Sequence, residues 1–179
     1  MDQINTTRRN FLKVSGLTGF GLALGISSMA KDATLKKITP AILKLEINPF
    51  IVIDTADNIT LINPRPDMGQ GSTQAVPSLL AEELEVSLEK VLIVQSDGQQ
   101  KYGNQTSGGS SSVRALWMPI RKAGAAAREM LTTAASQKLG VPVSELKAID
   151  GTIVHTVSGK SLTYGELAEE ASKLEIPVN

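Results

Sequence analysis

The sequence has no cysteine, which excludes disulfides, iron–sulfur clusters and thiolate metal sites on this chain. Electron transfer through a cluster would therefore need another subunit. There is one histidine, His155, so a multi-histidine metal site is excluded and few groups remain for acid–base work near neutral pH. Neither sign of charge is in excess. Lys plus Arg number 18 and Asp plus Glu number 18, so no basic field attracts nucleic acid. A long apolar run fit for a permanent membrane span is also lacking, because Val14 to Ala30 is interrupted by Gly16, Gly19, Gly21 and Gly25. What remains for chemistry is carboxylates, backbone amides or a cofactor.

The first 30 residues carry an address. Arg8 and Arg9 are followed by Phe11, Leu12 and Lys13, then by the uncharged stretch and by Ser28-Met29-Ala30, with small residues where a signal peptidase reads. Residues 1–30 are thus expected to be a twin-arginine signal peptide cleaved after Ala30, taking the protein to the periplasm through the twin-arginine machinery. A membrane-tethering helix is the alternative reading of the same stretch. Twin-arginine export moves folded proteins, and the usual reason to fold first is a cofactor inserted in the cytoplasm.

Residues 31–47, polar and lysine-rich, read as a linker. Beyond it, Phe50 to Asp54 and Ile59 to Ile62 form a predicted β-hairpin across Ala56-Asp57-Asn58. Pro64-Arg65-Pro66-Asp67 forbids helix and leads into the loop Met68-Gly69-Gln70-Gly71. A helix follows with Val76, Leu79, Leu80 and Leu84 as its apolar stripe, and Glu82, Glu83 and Glu85 are expected on its solvated face. The apolar run Val91 to Val94 predicts a buried strand joining the hairpin's sheet. Gln95 to Ser112 is a long polar loop, a type that in compact domains usually has a function. Val113 to Leu139 reads as a helix whose small residues, Ala123 to Ala127, admit another backbone, with Pro119 kinking or delimiting its start and Trp117 packing between helices. Asp150-Gly151 marks a short hairpin, and Thr163 with Glu166 makes a capping box before the last helix. The fold class is α+β, a small mixed sheet with packed helices.

Two loops stand out, Gly69-Gln70-Gly71 and Gly108-Gly109-Ser110-Ser111-Ser112, each running into a helix. Glycine lets a ligand approach the backbone, and a helix N-terminus offers free amides and a favourable dipole to an anion. Gln70, between glycines, could donate to and accept from a ligand. By pattern alone, such glycine–serine loops more often only connect elements or cap helices. Arg114 fits a phosphate partner and a surface or capping role equally, and His155 reads as structural or exposed.

In their order these pieces resemble the N-terminal part of the molybdopterin-binding large subunit of the xanthine dehydrogenase/aldehyde oxidase family, in the branch typified by the isoquinoline 1-oxidoreductase beta subunit. The marks are Arg65 to Gly71, Ala81-Glu82-Glu83-Leu84, Ser107 to Arg114, Ala123 to Arg128, Leu139-Gly140-Val141-Pro142 and Leu162 to Leu167. The resemblance implies that residues 48–179 are part of a larger molybdopterin-binding domain. It implies a molybdenum hydroxylase that adds a water-derived oxygen to an N-heterocycle or aldehyde. The cofactor would be molybdopterin, in its cytosine dinucleotide form, with electrons passing to a small partner subunit that holds [2Fe-2S] clusters. Gly69, Gln70 and Gly71 would lie against the molybdenum end, and Gly108, Gly109, Ser110, Ser111 and Ser112 would give amides to the cofactor. The family's catalytic glutamate base lies near the far C-terminal end of a much longer subunit, so no catalytic residue and no protein metal ligand is expected in this chain. The sequence is accordingly expected to be the N-terminal piece of such a subunit; the alternative is a truncated, non-catalytic exported module for cofactor binding or assembly.

Overall fold

A computed structural model describes residues 42–177. The leader, with Arg8, Arg9, Phe11 and Leu12, lies outside the described residues. Chain order is β1 (Lys44–Asn48), β2 (Ile51–Asp54), β3 (Ile59–Asn63), α1 (Ser72–Leu84), β4 (Val91–Gln95), α2 (Ser112–Leu139), β5 (Leu146–Ile149), β6 (Thr152–His155), β7 (Ser161–Thr163) and α3 (Tyr164–Ala171).

The predicted hairpin forms, with Ile51 opposite Leu61 and Ile53 opposite Ile59. The range read as linker differs. Its end is β1, which pairs antiparallel with β2 and places Leu45 and Ile47 inward while Lys44 and Glu46 face out. That alternation is a strand signal hidden in a lysine-rich stretch. Strand β4 joins β3 in parallel, giving the order β1-β2-β3-β4. It is an edge strand, not the buried one expected: Leu92 is 61% and Val94 40% exposed. An apolar run fixes the strand but not how many of its faces are covered.

Between the parallel strands the chain passes through α1, whose buried Val76, Leu80 and Leu84 meet the sheet and α2. The helices touch at Gly124, where a Cβ would stand 2.8 Å from the Leu80 carbonyl oxygen and 2.9 Å from Glu83 Cβ. The small-residue run does admit another backbone, and that backbone is α1. Glu83 turns toward α2, pairing with Arg121 at 2.5 Å, so it leaves the solvated face expected for it. Trp117 also departs from expectation, being 46% exposed with the Arg121 guanidinium 5.4 Å over its ring instead of lying between helices. Helix α2 runs through Pro119 without ending there.

A second, antiparallel sheet, β5-β6-β7, turns at Asp150-Gly151, both at positive φ as a tight hairpin turn requires. The capping box starts α3: the Thr163 hydroxyl accepts from Glu166 N, and Glu166 Oε2 from Thr163 N. The buried Tyr164 hydroxyl donates to the Leu84 carbonyl at 2.6 Å, tying α3 to the end of α1. His155 is buried and structural, its ring nitrogens 2.7 Å from Ser158 Oγ and 2.8 Å from Glu145 Oε2.

Candidate functional site

Parallel strands β3 and β4 end side by side, Asn63 opposite Gln95. The loops leaving their carboxyl ends, 64–71 and 96–111, therefore emerge together, the usual place for a ligand in a βαβ unit. The topology thus brings the two glycine loops, some 40 residues apart in sequence, into one site.

They are joined through one atom. The Pro66 carbonyl accepts from Gln70 Nε2 at 2.7 Å, from Ser107 Oγ at 2.8 Å and from Ser72 Oγ at 3.3 Å. Beside it the buried Arg65 guanidinium reaches the other loop, donating through Nη1 to the Thr106 carbonyl and, at 3.5 Å, to Asn104 Oδ1. Gln70 Oε1 accepts from Met68 N at 2.6 Å, and Nε2 also donates to Ser72 Oγ at 3.1 Å. Both of its amide hydrogens are therefore engaged, leaving an oxygen lone pair for a ligand but no donor.

The two loops differ in what they offer an anion. At the first, Asp67 Oδ1 accepts from Gly69 N at 2.8 Å and Gly71 N at 3.3 Å, and Oδ2 from Thr73 N at 2.8 Å. Those bonds, that from Thr73 foremost, lower the Asp67 pKa to about 2. Gly69 and Gly71, at φ 100° and 80°, let the backbone curl round the carboxylate. The amides of Gly69, Gly71 and Thr73 are closed to a ligand, because the chain supplies its own anion, whereas those of Gln70 and Ser72 have no partner among the described residues. An Asp two residues before a glycine at a helix start is a capping signal that the sequence contained.

The second loop is open. Ser111 turns its hydroxyl back to the Gly108 carbonyl at 2.7 Å, so no side chain caps α2. The first amides, those of Ser112, Val113 and Arg114, have no hydrogen-bond partner among the described residues. They head a helix of 28 residues with its full dipole. Ser110, at φ 52°, holds a left-handed conformation costly for a residue with a Cβ. Around this terminus lie two adjoining cavities. One of about 260 Å³ runs between Gln70 and Ser72 on one side and Ser110, Ser112 and Val113 on the other. The second, about 330 Å³, is lined by Met68, Gln70, Ser107, Gly108 and Ser110 to Ser112. No carboxylate lines either cavity.

A family model described as molybdopterin cofactor-binding domain matches residues 3–179. The chain is 30% identical over 173 residues to the beta subunit of isoquinoline 1-oxidoreductase from Brevundimonas diminuta, an alignment covering 93% of this chain and 22% of that protein. To a nicotinate dehydrogenase subunit of Pseudomonas putida it is 28% identical over 134 residues, 75% of this chain and 11% of the relative. The chain thus spans less than a quarter of the curated relatives it matches. Among solved structures, quinoline 2-oxidoreductase from Pseudomonas putida 86 superposes with a TM-score of 0.53 at 20% identity, over 66% of this chain and 15% of that one, a likeness of fold.

Proposed function

This chain belongs to the molybdopterin cofactor-binding domain family, and from that premise we propose that it forms the cofactor-cradling part of an exported molybdenum hydroxylase. The observation that carries the reading is the uncapped N-terminus of α2, whose free amides, beside a Ser110 hydroxyl with no partner among the described residues, head a cavity facing Gln70. Those donors suit an anionic, hydrogen-bonding cofactor. Gly108, Gly109, Ser110, Ser111 and Ser112 would hold its anionic part, in the cytosine dinucleotide form. Gly69, Gln70 and Gly71 would form the opposite wall, Gln70 through its remaining oxygen lone pair.

When bound, molybdopterin supplies a molybdenum centre able to take two electrons from an electron-poor carbon of an N-heterocycle or aldehyde as that carbon gains an oxygen derived from water. The chain's own part is to orient and enclose. Pro66 and Arg65 fix the spacing of the two walls, and the helix dipole favours negative charge between them. No carboxylate lines either cavity, so the proton acceptor would come from another part of the enzyme. Glu82 lies ten residues beyond Ser72 in α1, about 15 Å along the helix. Electrons would pass to a [2Fe-2S] partner subunit, in keeping with a chain that has no cysteine. Residues 1–30 would send the loaded protein to the periplasm by the twin-arginine route.

The test is to purify the whole gene product, with its co-expressed neighbours, from a host that makes the cofactor. About one molybdenum and one pterin per chain, with oxidation of a quinoline-type heterocycle or an aldehyde, supports the reading; absence of both molybdenum and pterin refutes it. Fusing residues 1–40 to a reporter that fluoresces only if folded before export tests the address. Periplasmic fluorescence lost on replacing Arg8 and Arg9 by lysine is expected, and fluorescence confined to the cytoplasm would contradict it.

A further inference from the structure

On the other side of the Arg65 segment lies a cavity of about 410 Å³ lined by Phe50, Arg65, Lys101, Tyr102, Leu116 and Pro119 among others. Its volume falls in the range of small-molecule sites. Arg65 is 2% exposed. Its Nη1 is spent on Thr106 and Asn104, while Nε is buried without a partner and Nη2 has none among the described residues. No carboxylate pairs with this guanidinium among the described residues. Buried cations normally have such a partner, and Nη2, unlike the fully enclosed Nε, is left open to one. The other cation at the cavity, Lys101, is already neutralised by Glu46 at 2.7 Å. The uncompensated charge is therefore that of Arg65.

The rest of the wall sets the ligand's body. Phe50 and Tyr102 stand with ring centroids 6.1 Å apart, and Leu116 and Pro119 add aliphatic surface. Pro119 has no N–H, so the Ala115 carbonyl loses its helical donor at the cavity's edge, a neutral acceptor that disfavours a second negative charge. We propose that this cavity binds a small monocarboxylate with a flat apolar body, its carboxylate on Nη2 of Arg65 and its body against Phe50, Tyr102 and Leu116. The site is separate from the cofactor cradle, and the proposal does not rest on the cofactor reading.

Titration of the full chain with benzoate, followed by amide chemical shifts, tests this without any cofactor. Saturable binding with Kd on the order of 1 mM is expected, with shifts at Gly103 and Ala115. Neutral benzamide, of the same shape, is expected to bind at least about tenfold more weakly, because it brings no charge to the unpaired guanidinium. Ala115→Trp fills the rim from an exposed position, and Arg65→Lys keeps the charge but withdraws the Nη2 donor; each is expected to weaken benzoate by about tenfold or more. Failure to saturate, benzamide binding as tightly as benzoate, or unchanged affinity in a folded Ala115→Trp would each overturn the proposal.

Discussion

The Ser107 hydroxyl donates to the Pro66 carbonyl across 2.8 Å, on the oxygen that also takes the Gln70 amide at 2.7 Å. One backbone atom thereby fixes the distance between the two walls of the cradle. Ser107→Ala removes this neutral hydrogen bond and the longer one, 3.4 Å, between Ser107 Oγ and Ser112 Oγ, so global stability should fall by only about 1 kcal/mol. Backbone order over 107–112 should fall well beyond that of α2's buried half. Backbone NMR order parameters check this, and an equal fall throughout the chain would contradict a local role.

Asp67 gives a pH dependence with a definite sign. Its pKa is about 2 in the folded protein against an ordinary value of 3.8, so the folded state binds this proton less readily. The stabilisation is complete above the unfolded pKa and is lost as pH falls from about 4 through about 2. Asp67→Asn should therefore differ from the parent in unfolding midpoint by a constant amount above about pH 5, with the difference shrinking toward pH 2. A difference that grows on acidification would contradict the assignment.

Gly124 sits where α1 and α2 come closest. An added methyl would meet the Leu80 carbonyl oxygen at 2.8 Å, a backbone atom that cannot swing away. Despite alanine's higher helix propensity, Gly124→Ala should destabilise by about 1–3 kcal/mol in denaturant unfolding. A gain in stability would mean that the helices separate freely.

Tyr164→Phe leaves the buried Leu84 carbonyl without its 2.6 Å donor, and should cost about 1–3 kcal/mol. The same burial raises the Tyr164 pKa. Its phenol should stay protonated in the folded chain at a pH where the exposed tyrosine of the denatured chain ionises, as ultraviolet difference spectra would record.

Much of this fold was legible because its signals are local. The hairpin at Ala56-Asp57-Asn58, the Asp150-Gly151 turn and the Thr163–Glu166 box each declare themselves within a few residues, and each formed. What escaped depends on neighbours distant in sequence. β1 is a strand because β2 offers it an edge, β4 stays half-exposed because nothing among the described residues covers its outer face, and Glu83 leaves solvent because Arg121 stands opposite. The candidate site divides in the same way. Both glycine loops were visible as composition, but their meeting at Pro66 follows from the parallel pairing of β3 with β4. That the amides of Ser112, Val113 and Arg114 stay open while those of Gly69, Gly71 and Thr73 are closed follows from Asp67 folding back on the first loop.

This contrast between the loops supplies the sharpest test. Ser111→Asp would give α2 the internal carboxylate that Asp67 gives α1, a negative charge that a helix N-terminus favours by about 0.3–1 kcal/mol. The measurement is the pterin content per chain of the whole gene product purified from a cofactor-producing host, alongside its thermal unfolding. If the α2 terminus receives the cofactor's anionic part, Ser111→Asp should unfold at the parent's temperature or above it while retaining less than about a tenth of the parent's pterin. Full pterin content in that variant would contradict the account.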